Sequence, residues 1–265
     1  MADLIQTSKV IKKESDKFSE SLIFEGMTSI SAILNSGSFN NRKIEKILYD
    51  KSKEKSKSDK LSYLRHRSAE LGFLMEAVSA DTIDAMTVGN SHGGIIAICG
   101  DRTIPYIDIN KIKKHGFYVM LEGIEDPYNF GYALRSLYAA GVDGVILSKR
   151  NWMSAAGVVC RASAGASEAL EMFIDNDANS AQLFKSIGYK VVCADIRNSI
   201  SFYDADMTYP VFLVIGGEKR GISSAMISNA DQIVRIDYAS GFKGSLSTAS
   251  SAAIIGFEIM RQNKL

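Results

Sequence analysis

The stretch "VFLVIGGEKRGISSAMISNADQIVRID", residues 211–237, sets the class of fold. Val211 to Ile215 form an unbroken apolar run, the pattern of a strand buried on both faces. The run enters a turn of three glycines and three charges, Gly216 to Gly221. A short helix over "ISSAMISNA" and a second strand over "QIVRID" follow. Strand, helix and strand in that order are the repeating unit of a layered α/β domain with a parallel sheet.

The same rhythm extends in both directions. "FYVMLEGI" reads as a strand, and "NFGYALRSLYAAG" as a helix stopped at Gly141. "GVILS" reads as a strand, "SAQLFKSIGY" as a helix and "KVVCAD" as a strand. "SLSTASSAAIIGFEIMRQ" is the closing helix. The N-terminal part is less regular. Residues 1–20 suggest a polar helix. "EGMTSISAILNSG" is helical with a glycine stop, and "IEKILYD" leads towards a strand. "KSKEKSKSDK", Lys51 to Lys60, reads as a charged loop, and "HGGIIAICG" as a glycine turn before a buried strand. "DRTIPYIDINKIKKHG", Asp101 to Gly116, reads as a linker. The expected organisation is therefore a small α/β domain over residues 1–105, a linker to about residue 116, and a parallel-sheet domain over 117–265.

Composition narrows the classes. The chain has 265 residues, 46% hydrophobic and 23% charged, which suits a globular protein with a real core. Net charge is +1, so no global basic field exists to attract nucleic acid. The small positive excess lies before residue 116. Cys99, Cys160 and Cys193 lack any C-x-x-C spacing, which points to reduced thiols in a cytosol. His66, His92 and His115 form no ligand pattern, so no metal site is expected. His92 reads as a turn residue. The first 18 residues lack the apolar core of a secretory signal, and a cytoplasmic location is expected. The longest charge-free stretch near the C-terminus, Gly244 to Phe257, is too short to span a bilayer.

The glycine turn is not one of the two common phosphate loops. Glu218 stands where a dinucleotide fingerprint needs its second glycine. Ile222 and Ser223 follow Gly221 where a P-loop needs Lys and Ser/Thr. A carboxylate inside the loop repels polyphosphate and suits a ligand with hydroxyls or positive charge. Two other stretches resemble loops at strand ends, where open α/β sheets bind ligands. One is "EDPYNFGYALRS", Glu125 to Ser136, in which Asn129 can cap a helix that carries Arg135. The other is "IDYASGFKGSLSTASSA", Ile236 to Ala252, a glycine loop before a helix rich in Ser and Ala.

Taken in this order, the three stretches resemble the SpoU/TrmH family of RNA ribose methyltransferases, within the knotted SPOUT class. Asn129, Gly131 and Arg135 match the family's N-x-G-x-x-x-R. Gly216, Glu218 and Gly221 match its G-x-E-x-x-G. Ile236, Gly241, Ser245 and Leu246 match part of its third motif. "RASAGA", Arg161 to Ala166, resembles the stretch between the first two motifs. "FEGMTSISAIL" and "SHGGIIAI" resemble the family's small substrate-binding domain.

The resemblance implies a deep trefoil knot in the C-terminal parallel-sheet domain and an N-terminal domain that binds RNA. It implies S-adenosylmethionine as cofactor, with Gly216, Ile236 and Leu246 lining the adenosine pocket beside Ile215, Gly217 and Gly221. It implies a homodimer that methylates a ribose 2′-hydroxyl in ribosomal or transfer RNA. Arg135, Asn129, Glu218, Ser245 and Ser247 would form the catalytic set. In that set Glu218 accepts hydrogen bonds from Asn129 or Arg135, and Arg135 stabilises the developing alkoxide. Asp237 and Tyr238 replace the family's Pro and Met, and Ser247 replaces an asparagine. The alternative reading is a degenerate relative that binds RNA without methylating it. The basic residues Arg42, Lys43, Lys46, Lys51 to Lys60, Arg65 and Arg67 are the candidates for phosphate contact.

Overall fold

The computed structural model describes residues 22–87, 91–148, 155–175 and 179–264. The proposed helix over residues 1–20 lies outside them. In chain order the strands and helices are β1 (Ile23–Glu25), α1 (Gly26–Leu34), β2 (Ile44–Asp50), α2 (Ser58–Leu71), β3 (Leu74–Val78), α3 (Ala80–Asp84) and β4 (Ile95–Cys99), followed by β5 (Phe117–Glu122), α4 (Pro127–Ala139), β6 (Gly144–Leu147), α5 (Ala156–Ala162), α6 (Ala166–Ala169), β7 (Met172–Ile174) and α7 (Ser180–Ser186). The last are β8 (Lys190–Ala194), β9 (Ile200–Ser201), β10 (Val211–Gly216), α8 (Ser224–Ser228), β11 (Gln232–Arg235) and α9 (Thr248–Lys264).

Two compact units result. The first holds a four-stranded sheet in the order β1-β4-β2-β3. The β1–β4 and β2–β4 pairs are antiparallel, and β2–β3 is parallel. Its core gathers Phe24, Ile30, Ile47, Leu61, Leu64 and Ile95. Ala156 and Cys160 of α5 also enter this core, so α5 and α6 belong to the first unit although sequence alone groups them with residues 117–265. An ion pair fixes the return. Arg42 Nε lies 3.0 Å from Glu168 Oε2, and both side chains are almost wholly buried. Asn40 Nδ2 donates to the same oxygen at 2.8 Å. Arg42 is therefore excluded from the basic surface expected from sequence, because its charge is spent on a buried carboxylate.

Two other expectations change here. The charged stretch Lys51 to Lys60 is not a plain loop. It holds a 3-10 turn at Lys51–Lys53 and the first turn of α2. Only Leu61 and Leu64 of α2 are buried, too narrow a stripe to announce a helix against so many charges. The segment read as a linker joins the second unit from Ile104 onward. Tyr106 bridges Ile174, and Ile107 N donates to Ile174 O at 3.0 Å.

The second unit is built on a seven-stranded sheet in the order β7-β6-β5-β10-β8-β11-β9. Every pair in it is parallel. β5 and β10 are buried at all but their last residue, as their unbroken apolar runs require. One face packs under α7, where the Phe184 and Phe212 rings stack with centroids 4.0 Å apart. α9 packs on α4 closely enough that a Cβ on Gly256 would lie 3.2 Å from Leu137. From β5 the chain runs outward through β6 and β7, then returns to place β8 and β10 on the other side of β5. Such a reversal opens a crevice at the carboxyl ends of the strands, the usual ligand position in this class of sheet.

Candidate functional site

Four strand ends converge on that crevice. β10 delivers the glycine turn, β5 delivers Gly123 to Pro127, β8 delivers Asp195 and Ile196, and β11 delivers Ile236 to Tyr238. Two cavities adjoin there, sharing Glu218 and Thr248 in their walls.

The first, of about 270 Å³, is lined by all six residues expected to hold a cofactor: Ile215, Gly216, Gly217, Gly221, Ile236 and Leu246. Ser245 lines it as well. The turn is tight for a physical reason. A Cβ on Gly216 would strike Gly221, and one on Gly217 would strike the carbonyl of Gly123. Backbone therefore meets backbone where side chains would otherwise stand. Gly217 N donates to Glu122 O at 2.6 Å, which ties the β10 turn to the end of β5.

The second cavity is lined by Gly123 to Pro127, Asn129, Glu218, Lys219 and Thr248. Asn129 Nδ2 donates to Glu218 Oε1 at 2.8 Å, across 89 positions of chain. The first two motifs thus meet through one hydrogen bond at the partition between the cavities. The helix cap makes this possible. Asp126, not Asn129, is the N-cap of α4, and its Oδ1 accepts from Asn129 N at 2.7 Å. That leaves the Asn129 amide to reach Glu218. Lys219 Nζ pairs with Glu125 at 2.7 Å on the rim.

Arg135 and Ser247 fall elsewhere. Arg135 lies two turns along α4, exposed, and lines neither cavity. It shares a stripe with Tyr128 and Tyr132, at i, i+4 and i+7, and those rings are 39% and 48% exposed. Ser247 caps α9. Its Oγ accepts from Ser250 N at 3.1 Å, and its carbonyl accepts from Ser251 N at 3.0 Å.

Sequence reading missed three site residues. Thr248 is buried, and its Oγ1 donates to Gly216 O at 3.1 Å, holding α9 to the glycine turn. In a run of Ser, Thr and Ala nothing marks it out. Asp195 lines the first cavity, and its carboxyl is held below the ordinary carboxylate range, chiefly by the Arg197 side chain that donates to it at 3.1 and 3.2 Å. Tyr238 lines the same cavity from the loop after β11. Behind the site, burial pushes the Cys193 thiol up to about 12, the opposite of what a nucleophile needs. His92 is buried in the first unit, where Nδ1 accepts from Gly94 N at 3.0 Å, a turn role. Among the described residues no group of three His, Cys, Asp or Glu is placed to hold a metal ion.

The lining suits S-adenosylmethionine. Ile215, Ile236, Leu246 and Ile255 offer an apolar slot for a flat base, backbone groups of the glycine turn offer polar edges, and Asp195 and Glu218 offer acceptors for hydroxyls and a counter-charge for a sulfonium. Comparison with known proteins agrees. Residues 116–257 match the SpoU rRNA Methylase family. The chain belongs to that family. It is 26% identical to the 23S rRNA (guanosine-2′-O-)-methyltransferase RlmB of Shewanella oneidensis, over 78% of this chain and 85% of that protein. It is 27% identical to a Staphylococcus saprophyticus protein named for the TrmH family of tRNA/rRNA methyltransferases, over 92% and 96%. The AdoMet complex of the SpoU methyltransferase AviRb from Streptomyces viridochromogenes superposes with a TM-score of 0.73 at 23% identity, covering 91% of this chain and 89% of that one. The AdoMet-bound rRNA methyltransferase of Sinorhizobium meliloti gives 0.73, also at 23%, covering 91% and 87%. This SpoU-family member is an RNA methyltransferase.

Proposed function

We propose that this SpoU-family chain transfers a methyl group to a ribose 2′-hydroxyl of ribosomal or transfer RNA, as a cytoplasmic homodimer. The observation that carries the reading is the Asn129–Glu218 hydrogen bond at the partition between two adjoining cavities. One cavity has the walls a cofactor needs, and the other is open beside it for a substrate group. The bound cofactor supplies an electrophilic methyl on a sulfonium. A 2′-hydroxyl attacks slowly until its proton begins to leave, so the chain's part is to position it and stabilise the alkoxide. Asn129, with its orientation fixed by Glu218, is placed to hold the ribose. Ser245 lines the cofactor side. Arg135 serves as a guanidinium for the alkoxide or a neighbouring phosphate. Base action is awkward for it, because a guanidinium stays protonated in water.

Arg135 stands outside both cavities on a stripe with exposed tyrosines, and Ile254 and Phe257 of the adjacent α9 are also exposed. An apolar face of this kind suits a second copy of the chain, which would enclose Arg135 at the interface. The first unit's exposed lysines on 51–60 suit RNA phosphates. The trefoil knot of the SPOUT class is part of the same reading. Relatives named as methyltransferases do not favour the alternative of an RNA binder without activity.

Substitution of Arg135 tests the catalytic assignment. Arg135→Ala should lower methyl transfer to RNA by roughly 100-fold or more, the scale of losing one alkoxide-stabilising group. S-adenosylhomocysteine binding by calorimetry should stay within about twofold. Transfer at the parental rate would remove Arg135 from the mechanism.

A further inference from the structure

We propose that Tyr238 is a positioning residue for the cofactor, its hydroxyl tying the loop after β11 across the mouth of the first cavity. This rests on the reading of that cavity as the S-adenosylmethionine site. All residues from Asp237 to Ser245 are exposed, so the loop has no core of its own. Gly241 and Gly244 add backbone freedom, since glycine restricts the chain least.

One hydrogen bond among the described residues joins the two ends of this loop. The Tyr238 hydroxyl accepts from Leu246 N at 3.1 Å. Both residues line the cavity, together with Ile236 and Ser245 beside them. The Tyr238 ring also meets Phe242 with centroids 5.8 Å apart, and the Phe242 ring folds back over Gly244, where a Cβ would lie 2.5 Å from it. The phenol therefore closes a ring of chain whose ends are cavity wall.

An exposed bond of this kind adds little to global stability, because water competes for both groups. Its effect falls on binding. A loop already fixed in its wall position spares the ligand the entropy cost of ordering it. The tie and the wall are separable by mutation. Tyr238→Phe removes the hydroxyl and keeps the ring, whereas Tyr238→Ala removes both.

Calorimetry of the full chain with S-adenosylhomocysteine tests the proposal. Tyr238→Phe should raise Kd about fivefold, the worth of one neutral hydrogen bond, with a matching rise in the dissociation rate. Tyr238→Ala should raise it more than about tenfold, because a ring of the wall is lost as well. Melting of the ligand-free variants should stay within about 1 °C of the parent, as for most exposed substitutions. Tyr238→Phe binding within about twofold of the parent overturns the proposal and leaves the cavity assignment intact. Failure of the parent to bind overturns the cavity assignment and this proposal with it. A ligand-free melting point lowered by several degrees in Tyr238→Phe also overturns it, since the bond would then hold the fold rather than the site.

Discussion

Gly217 has backbone where a side chain would go. A methyl group there would collide with the carbonyl of Gly123. Gly217→Ala must push the β10 turn away from the β5 turn and strain the Gly217 N to Glu122 O bond. We expect a stability loss of about 1–3 kcal/mol, as for other forced overpacking. We expect S-adenosylhomocysteine affinity to fall at least about tenfold, because the displaced turn is cavity wall. Denaturant unfolding and calorimetry check the two effects, and parental affinity would contradict the placement of the turn. Individual residues differed in how legible they were. Asn129, Glu218 and the glycines declared themselves because a motif fixes their types and spacing. Thr248 did not, since a hydroxyl within a Ser-rich run carries no sign of its partner. Arg42 reads as one more surface cation until Glu168, distant in the chain, is seen beside it in the core.

α9 begins where Ser247 accepts the Ser250 N–H. Serine and asparagine are both strong N-caps, so the cap itself accommodates either the residue present or the asparagine that the resemblance implies. Ser247→Ala should cost about 1 kcal/mol of stability, and Ser247→Asn should be close to neutral. Denaturant unfolding measures both, and an alanine variant as stable as the parent would show that the cap does not matter. The long parallel strands were legible because full burial writes an unbroken apolar run. β3, β7 and β9 were not, being two to five residues long without alternation. The first turn of α2 was hidden by the charges of Lys51 to Lys60, because helix formation there depends on the two leucines that follow.

At the scale of the whole molecule, residues 155–169 belong to the first unit while the sheet on either side of them in sequence belongs to the second. Sequence periodicity reports which face of an element is buried, not which core receives it, so this crossing was not legible. The homodimer is an expectation of the same scale. Sedimentation at micromolar concentration should give twice the mass of one chain, and Tyr132→Glu on the exposed face of α4 should shift the population to monomer. A monomeric parent would leave the exposed tyrosines without that explanation.

Methyl transfer to ribose at the paired cavities is directly measurable. The measurement is label transfer from methyl-labelled S-adenosylmethionine, by the purified full chain, into total RNA from cells that lack it. Alkali cleaves RNA next to every ribose with a free 2′-hydroxyl. Transfer to a ribose 2′-oxygen leaves the label in alkali-resistant dinucleotides. Label found on bases within ordinary mononucleotides, or no transfer to RNA from cofactor that is bound, would contradict it.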